Sequence, residues 1–514
     1  MHAQPNYPRV LISTLVYSIL LVVIAGTAPF TWHNLANAVS IDQVFKTHTI
    51  QIQPVRVGYN PVLTNTVLNA SATARPVHFA CQSNINPQPS LCYGPYQIRQ
   101  AYHVNDLLRQ GITGKGASIT IIDAYGSPNI RRDLQVFDAT WGLPDSQLNI
   151  ITPYGVDGTD SAWISETSLD VEWAHVMAPN ATINLVLARD SNDYSIYKVL
   201  DYTIKHNLGD VISLSFGENE NCVDAGLRLD EHRLFNEAAS KGMTLLAATG
   251  DFGSAQLACD SNSFEKAISF PADDPLVTAV GGTTLVADAA TGHYIREDAW
   301  NESSAFNKAS GGGYSKFYRA PAFQSGVISE GMGRGVPDLA LNASVNGGVI
   351  VFESHHGNEH PTINIMGGTS AAAPEIAGLF ADGVQMAHHR LGPLNPALYR
   401  LAAGGSYSLL MNDITSGSNA LLSSGFNGYR AAQGWDAATG WGSPKAAGPF
   451  LRALITANMA NAPINGSPIV PVHPVPAPSK PGLPLVPVHP QPLPPTAGVS
   501  TPADSYKPFW HTRK

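Results

Sequence analysis

Met366-Gly367-Gly368-Thr369-Ser370-Ala371-Ala372-Ala373-Pro374-Glu375-Ile376-Ala377-Gly378 is the stretch around which the chain is organised. Two glycines permit a tight turn with unusual backbone angles, and a hydroxyl follows on a residue that opens a helix. Three alanines carry that helix, and Pro374 is expected early enough in it for its missing N–H to cost little. A serine at a strand-to-helix junction faces a cleft, beside unpaired helix N–H groups and the positive end of a helix dipole. That setting suits Ser370 as a nucleophile whose product is an oxyanion. A Gly-Thr-Ser turn alone is an ordinary helix cap, so the partner that activates Ser370 has to be sought elsewhere in the chain.

The segment Ser165-Glu166-Thr167-Ser168-Leu169-Asp170-Val171-Glu172-Trp173-Ala174-His175-Val176-Met177-Ala178-Pro179 supplies a candidate. Glu166 and Asp170 are four apart, so on a helix their carboxyls share a face. Like charges at that spacing destabilise a helix unless they share a proton, which raises one pKa and creates a base suited to acid. A solvated acidic patch is the plain alternative; Asp170, flanked by Leu169 and Val171 in an apolar helix, argues against it.

Around these two stretches, apolar runs alternate with helical ones. Ala117–Asp123, Thr182–Leu187, Val211–Phe216, Met243–Ala248 and Leu276–Val280 read as strands, with helices such as Asp193–His206 and Leu227–Lys241 between them. Continuous apolar strands separated by helices predict a mostly parallel sheet covered on both faces, with sites beyond the carboxyl ends of its strands. Asp123, Ser215, Gly217 and Asp251 all stand at such ends. Ser213–Gly217 is expected to form one wall of a substrate cleft and Ser310–Ser315 the other.

Of the 514 residues, 44% are hydrophobic and only 13% charged, with a net charge of -9 and no basic block. Nucleic acid is therefore excluded as a partner. Few ion pairs stand to be lost when carboxylates protonate, which suits an acidic setting. Arg9 precedes an apolar run from Val10 to Ala28, and Ala36-Asn37-Ala38 follows in the manner of a cleavage site, so residues 1–38 read as a signal peptide or membrane anchor. Residues 39–80 read as a short N-terminal extension, 81–459 as the folded domain, and 460–514 as a proline-rich tail in which Val-Pro-Val-His-Pro occurs twice. The apolar run or the tail offers a tether to a membrane or cell wall. Cys81, Cys92, Cys222 and Cys259 show no Cys-x-x-Cys pair; bridges 81–92 and 222–259 are one connectivity among those open to an exported chain.

Taken together, Glu-x-x-x-Asp in a buried helix and Gly-Thr-Ser-x-x-x-Pro downstream resemble the sedolisin (serine-carboxyl peptidase) family. Cys92–Arg99, Ser213–Gly217, Ala247–Asp251, Phe270–Ala272, Val280–Thr283, Ser310–Ser315 and Val336–Asp338 are similar to that family in order and spacing, over about Cys81 to Met459. The resemblance implies a subtilisin-like three-layer α/β fold and a secreted peptidase acting on proteins or peptides in acid. It assigns Ser370 as nucleophile, Glu166 as general base and acid, Asp170 as the group that polarises Glu166, and Asp251 as the oxyanion-hole residue, which must be protonated to donate. It also implies one Ca²⁺, held by Asp413, Asp436 and the carbonyls of Ile414, Ala432 and Gly434; composition alone shows only a polar loop there.

Sedolisins are typically made with a large folded prosegment, and about 40 residues between Ala38 and Cys81 are too few for one. Folding then proceeds without that helper or with it supplied in trans, and two alternatives stand beside the main reading. One is a subtilase-type peptidase using Asp123 and His175, although no His-Gly-Thr setting occurs. The other is a non-catalytic surface or binding protein that keeps the fold.

Overall fold

The computed structural model describes residues 52–54 (backbone only), 79, 81–84, 91–355 and 361–460. The signal or anchor at 1–38, nearly all of the extension and the proline-rich tail beyond 460 lie outside the described residues. Among the described residues, no helix is long and apolar enough to cross a membrane.

The central sheet runs in the order Tyr294–Ala299, Thr278–Ala287, Thr244–Ala248, Val211–Leu214, Ser118–Ala124, Thr182–Ala188, Gln147–Ile151. Leu339–Asn342 also pairs, in parallel, with the second half of Thr278–Ala287. Only the Tyr294–Ala299 edge is antiparallel. The sequence explains the burial: Ser118–Ala124 is covered on both faces at every position after the first, and a strand buried on both sides must read as a near-continuous apolar run.

Side chains alternate across the sheet and sort into two layers. Ile122, Ala124, Val186, Ala188, Ile212, Leu214, Leu245 and Ala247 point to one face. There they meet Ile196, Val199 and Leu200 of the Asp193–Lys205 helix and Leu234, Phe235 and Ala238 of the Ala225–Ser240 helix. On the opposite face lie the Ser161–Met177 and Thr369–Ala387 helices, packed on each other and on the strands. The three-layer α/β architecture expected from the strand–helix alternation is therefore met. Each fully buried Leu or Ile in these layers contributes roughly 1.5–3 kcal/mol relative to exposure.

The two central helices are buried for different reasons. Ser161–Met177 starts with Asp160, whose Oδ1 accepts from the N–H groups of Ala162 (2.9 Å) and Trp163 (3.1 Å), a strong N-cap. Every residue from Glu166 to Met177 is buried, so the helix is apolar all round, with its few carboxyls as exceptions. Thr369–Ala387 is delivered by the Thr362–Met366 strand of a second sheet, which pairs antiparallel with Gly348–Glu353. Gly378 lets the two helices touch: a Cβ there would sit 2.5 Å from the Met177 Cβ and 2.9 Å from the Ala174 carbonyl. With Ser370 near Glu166 at one end and Gly378 near Ala174 and Met177 further on, the helices run side by side in the same direction.

Two local readings are corrected. Pro374 lies inside the helix, the sixth residue from its start at Thr369, past the four N–H groups a helix leaves unused. Its ring therefore removes the bond that the Ser370 carbonyl would have accepted. The strand expected to end at Val280 continues to Ala287. Gly281 and Gly282 lie inside it, where Pro337 and Ala343 approach too closely for any side chain. Both local bridges form: Cys81–Cys92 and Cys222–Cys259 have Cα separations of 5.2 and 5.3 Å.

Candidate active site

A cleft of about 640 Å³ opens at the carboxyl ends of the central strands, lined in part by Glu166, Ser215, Gly217, Asp251, Lys308 and Ser370. Ser370 is the second residue of its helix, entered through Gly368 at φ +117°. That angle is open to glycine and strained for any residue with a Cβ. The Ser370 Oγ lies 3.4 Å from the Ser215 carbonyl oxygen, a long contact that leaves the hydroxyl free to turn to a better acceptor, as unliganded catalytic sites often show.

Glu166 and Asp170 lie on the helix face behind Ser370, at 6% and 0% exposure. Burial pushes the Glu166 carboxyl well above the ordinary range; the nearby Ser370 hydroxyl pulls it down, the charges of Asp123 and Asp251 raise it further, and that of Lys308 lowers it. Asp170 is pushed well up by burial and then by Asp123 and Glu166, while the Ser215 hydroxyl, donating to its Oδ1 at 2.7 Å, pulls it down. Glu166 Oε1 and Asp170 Oδ2 are buried with no hydrogen-bond partner among the described residues. Such groups are expensive unless they hold protons. The helix is therefore not a solvated acidic face.

Asp251 stands in the turn after Thr244–Ala248. Its Oδ1 accepts from the Thr369 N–H (2.9 Å) and the Thr369 hydroxyl (3.0 Å), and the same hydroxyl oxygen accepts from the Gly250 N–H at 3.0 Å. Both donors fall on Oδ1, and Oδ2 lies against Gly368, away from them. The Ser370 N–H belongs to the first helical turn, which the helix ladder does not use. The site thus gathers four residues singled out in the sequence: Glu166, Asp170, Asp251 and Ser370.

His175 and Asp123 are not placed as a Ser–His–Asp set. His175 is fully buried, with Nε2 2.9 Å from the Pro144 carbonyl oxygen and 3.2 Å from Asp138 Oδ1. It is a packing histidine against the Ile130–Trp141 helix, nine residues and roughly 13 Å along its own helix from Glu166. Asp123, 0% exposed, is pushed up to about 7 by burial, with the nearby Thr167 hydroxyl pulling the other way. It forms a third member of the carboxyl group behind Ser370.

Ser310–Ser315 is not the second wall. Ser303 to Lys308 line the cleft, while Gly311 and Gly312 pack backbone to backbone against Thr249 and Ala437, where no side chain fits. Sequence reading also missed the partnership of Ser215 with Asp170, of Thr369 with Asp251, and the cation at Lys308. A second hydroxyl in Ser213-Leu214-Ser215 was the signal for the first; the others depend on chain segments meeting in space.

The loop expected to hold calcium joins its two aspartates. Asp413 accepts from the Gly434 N–H at 3.1 Å and the Tyr407 hydroxyl at 2.9 Å. Asp436 accepts from the N–H groups of Ala432 (3.0 Å), Ala438 (2.8 Å) and Thr439 (2.9 Å). Among the described residues, no group of three or more His, Cys, Asp or Glu side chains gathers as a metal cluster. Two carboxylates and flanking carbonyls are nonetheless the hard oxygen donors that Ca²⁺ requires, so the donor set fits one ion.

A model of the subtilase family matches residues 158–442. Kumamolisin of Bacillus sp. (strain MN-32) is 33% identical over 368 residues, covering 68% of this chain and 62% of its own. Sedolisin of Pseudomonas sp. (strain 101) is 31% identical over 346 residues, covering 64% and 57%. The chain thus spans about six-tenths of the length of these relatives. Among solved structures, Pseudomonas sedolisin, a serine-carboxyl proteinase complexed with two molecules of pseudo-iodotyrostatin, superposes with a TM-score of 0.62 at 29% identity, over 72% of this chain and 99% of that one. With the fold and the carboxyl-backed serine in place, the chain belongs to the subtilase family, on its sedolisin (serine-carboxyl peptidase) branch.

Proposed function

We propose that the chain is a secreted serine-carboxyl endopeptidase that hydrolyses peptide bonds of proteins or peptides in acid. The observation that carries this reading is the buried Glu166–Asp170 pair, opening with Ser370 and Asp251 onto one cleft. Ser370 Oγ attacks the peptide carbonyl carbon while Glu166 takes the hydroxyl proton. Asp251, protonated, donates from Oδ2 to the developing oxyanion, assisted by the Ser370 N–H at the helix start. Glu166 then returns the proton to the leaving amine, and water, deprotonated by Glu166 in turn, cleaves the acyl ester. Asp170, fixed by Ser215, holds the proton that lets Glu166 cycle without two buried negative charges side by side.

Acid activity follows from the role given to Asp251, because a carboxyl donates a hydrogen bond only while it is protonated. Asp413 and Asp436, with the carbonyls of Ile414, Ala432 and Gly434, would hold one Ca²⁺ that ties the loop and takes no part in bond breaking.

The test is digestion of a denatured protein from about pH 3 to pH 7 by the wild-type chain, Ser370→Ala and Glu166→Gln, with folding followed by circular dichroism. Activity in acid that both substitutions abolish is the expected result. Activity near neutrality that survives Glu166→Gln sinks the carboxyl mechanism, and a folded wild type inactive at every pH sinks the peptidase reading.

A further inference from the structure

A second, smaller cavity of about 30 Å³ lies beside the cleft, bordered like it by Phe216 and Gly217. Its polar lining comes from three separate elements: Asp193 at the start of a helix, Glu218 on the short strand after Gly217, and Glu231 in the Ala225–Ser240 helix. Glu231 decides its character. It is only 5% exposed, and among the described residues no hydrogen-bond donor meets its carboxyl. Burial pushes that carboxyl well above the ordinary range, the charges of Asp193, Glu218 and Asp274 add to this, and Arg228 opposes it. Arg228 is already committed, with Nη1 3.4 Å from Asp273 and the guanidinium 4.0 Å over the Phe317 ring. Asp274 is paired with His232 at 2.7 Å. A buried carboxyl that faces a cavity, surrounded by like charges and without a donor, is costly as an anion unless a cation arrives to meet it.

We propose that this cavity is a substrate subsite that receives the ammonium group of a lysine side chain. The proposal rests on the peptidase reading of the Ser370 cleft and adds a substrate class to it. A peptide laid in extended form along Ser215–Glu218 pairs with backbone, and its side chains select pockets. Ser215 lies beside Ser370, and three residues of extended chain carry the peptide ~10 Å to Glu218. The lysine therefore sits about two to four residues from the scissile bond. Its methylene stem runs over Ile196 and Leu227, which line the same cavity, while its head meets the carboxyls. A space of about one water molecule admits a compact ammonium and excludes the wider, planar guanidinium, so arginine does not substitute.

The experiment is a peptide series with lysine, norleucine, arginine or glutamate placed singly at each of four positions on either side of one scissile bond. With the wild type, kcat/KM for lysine is expected to exceed that for norleucine by about tenfold at one position only, as a charge-assisted contact would give. Glu231→Gln should reduce that ratio below about threefold. Glu218→Gln, a half-buried strand residue whose change leaves the core alone, should lower it as well if Glu231→Gln does not fold. Calorimetric binding of the same peptides to Ser370→Ala reads the subsite without turnover. Equal affinities and rates for lysine and norleucine at every position overturn the subsite. An inactive wild type whose Ser370→Ala form still prefers lysine overturns the peptidase reading and keeps the subsite.

Discussion

The molecule brings carboxylates together in two places and treats them in opposite ways. In the loop near the end of the domain, Asp436 is wrapped by three backbone N–H groups, and Asp413 by an N–H and a tyrosine hydroxyl. Behind Ser370, Glu166 and Asp170 each keep a buried oxygen without a donor, and Asp123 keeps both. Carboxylates met by donors can hold a loop or a hard cation. Unsatisfied ones in a dry site must carry protons, and protons that can leave are the working material of acid–base chemistry. The difference lies in the count of donors around each oxygen.

The largest effect that would break this contrast is loss of the reaction itself. Ser370→Ala and Glu166→Gln should each lower kcat/KM by about 10³-fold or more while the fold is kept; a residual rate near wild type for either would place the chemistry elsewhere. Gly368→Ala puts a side chain at φ +117° and within 2.9 Å of Asp251 Oδ2. It should cost about 10²-fold in kcat, comparable to the loss of an oxyanion-hole donor. Ser215→Ala removes the one donor to Asp170 and should cost roughly tenfold, seen as a shifted pH–rate profile rather than a raised KM.

Stability should depend on pH as well. Burial pushes Asp133 up to about 6, against hydrogen bonds from Ser354, and Asp123 up to about 7. In the unfolded chain both ionise near pH ~4. Between about pH 4 and 7 the folded state therefore holds protons that the unfolded state has released, so stability is full below that window and falls as pH rises through it. Thermal melts of Ser370→Ala, which cannot digest itself, should show a Tm lower by about 10 °C at pH 7 than at pH 4. A flat or rising profile would mean that these carboxyls find partners. The smallest expected effect belongs to the loop. Chelation should lower Tm by a few degrees, and Asp436→Ala should lower it further even with chelator present, because its backbone donors are stranded too.

Much of this was legible in the sequence, and the failures share a cause. Apolar strand runs and the four-residue spacing of Glu166 and Asp170 are local patterns, and local patterns fix which face of a helix or sheet a residue occupies. Glycine was the ambiguous letter. It reads as a turn, and at Gly368 it is one, but Gly281, Gly282, Gly311 and Gly312 are positions where another segment comes too close for a side chain. That approach is set by residues far away in the chain. For the same reason the Ser303–Lys308 wall and the partnership of Thr369 with Asp251 could not be read in advance, whereas His175 needed only its buried setting to be recognised as packing.

The close contact at Gly378 has a practical consequence for remodelling the protein. The distance between Glu166 and Ser370 is set by two buried helices held at backbone range, while one side of the cleft comes from the Ser303–Lys308 segment. Reaction and selectivity are thus carried by separable parts. Loop exchange at Ser303–Asn307, with Lys308 kept beside Glu166, can redirect which peptides are accepted without retuning the chemistry, whereas a single methyl group added at Gly378 would disturb the chemistry for every substrate alike.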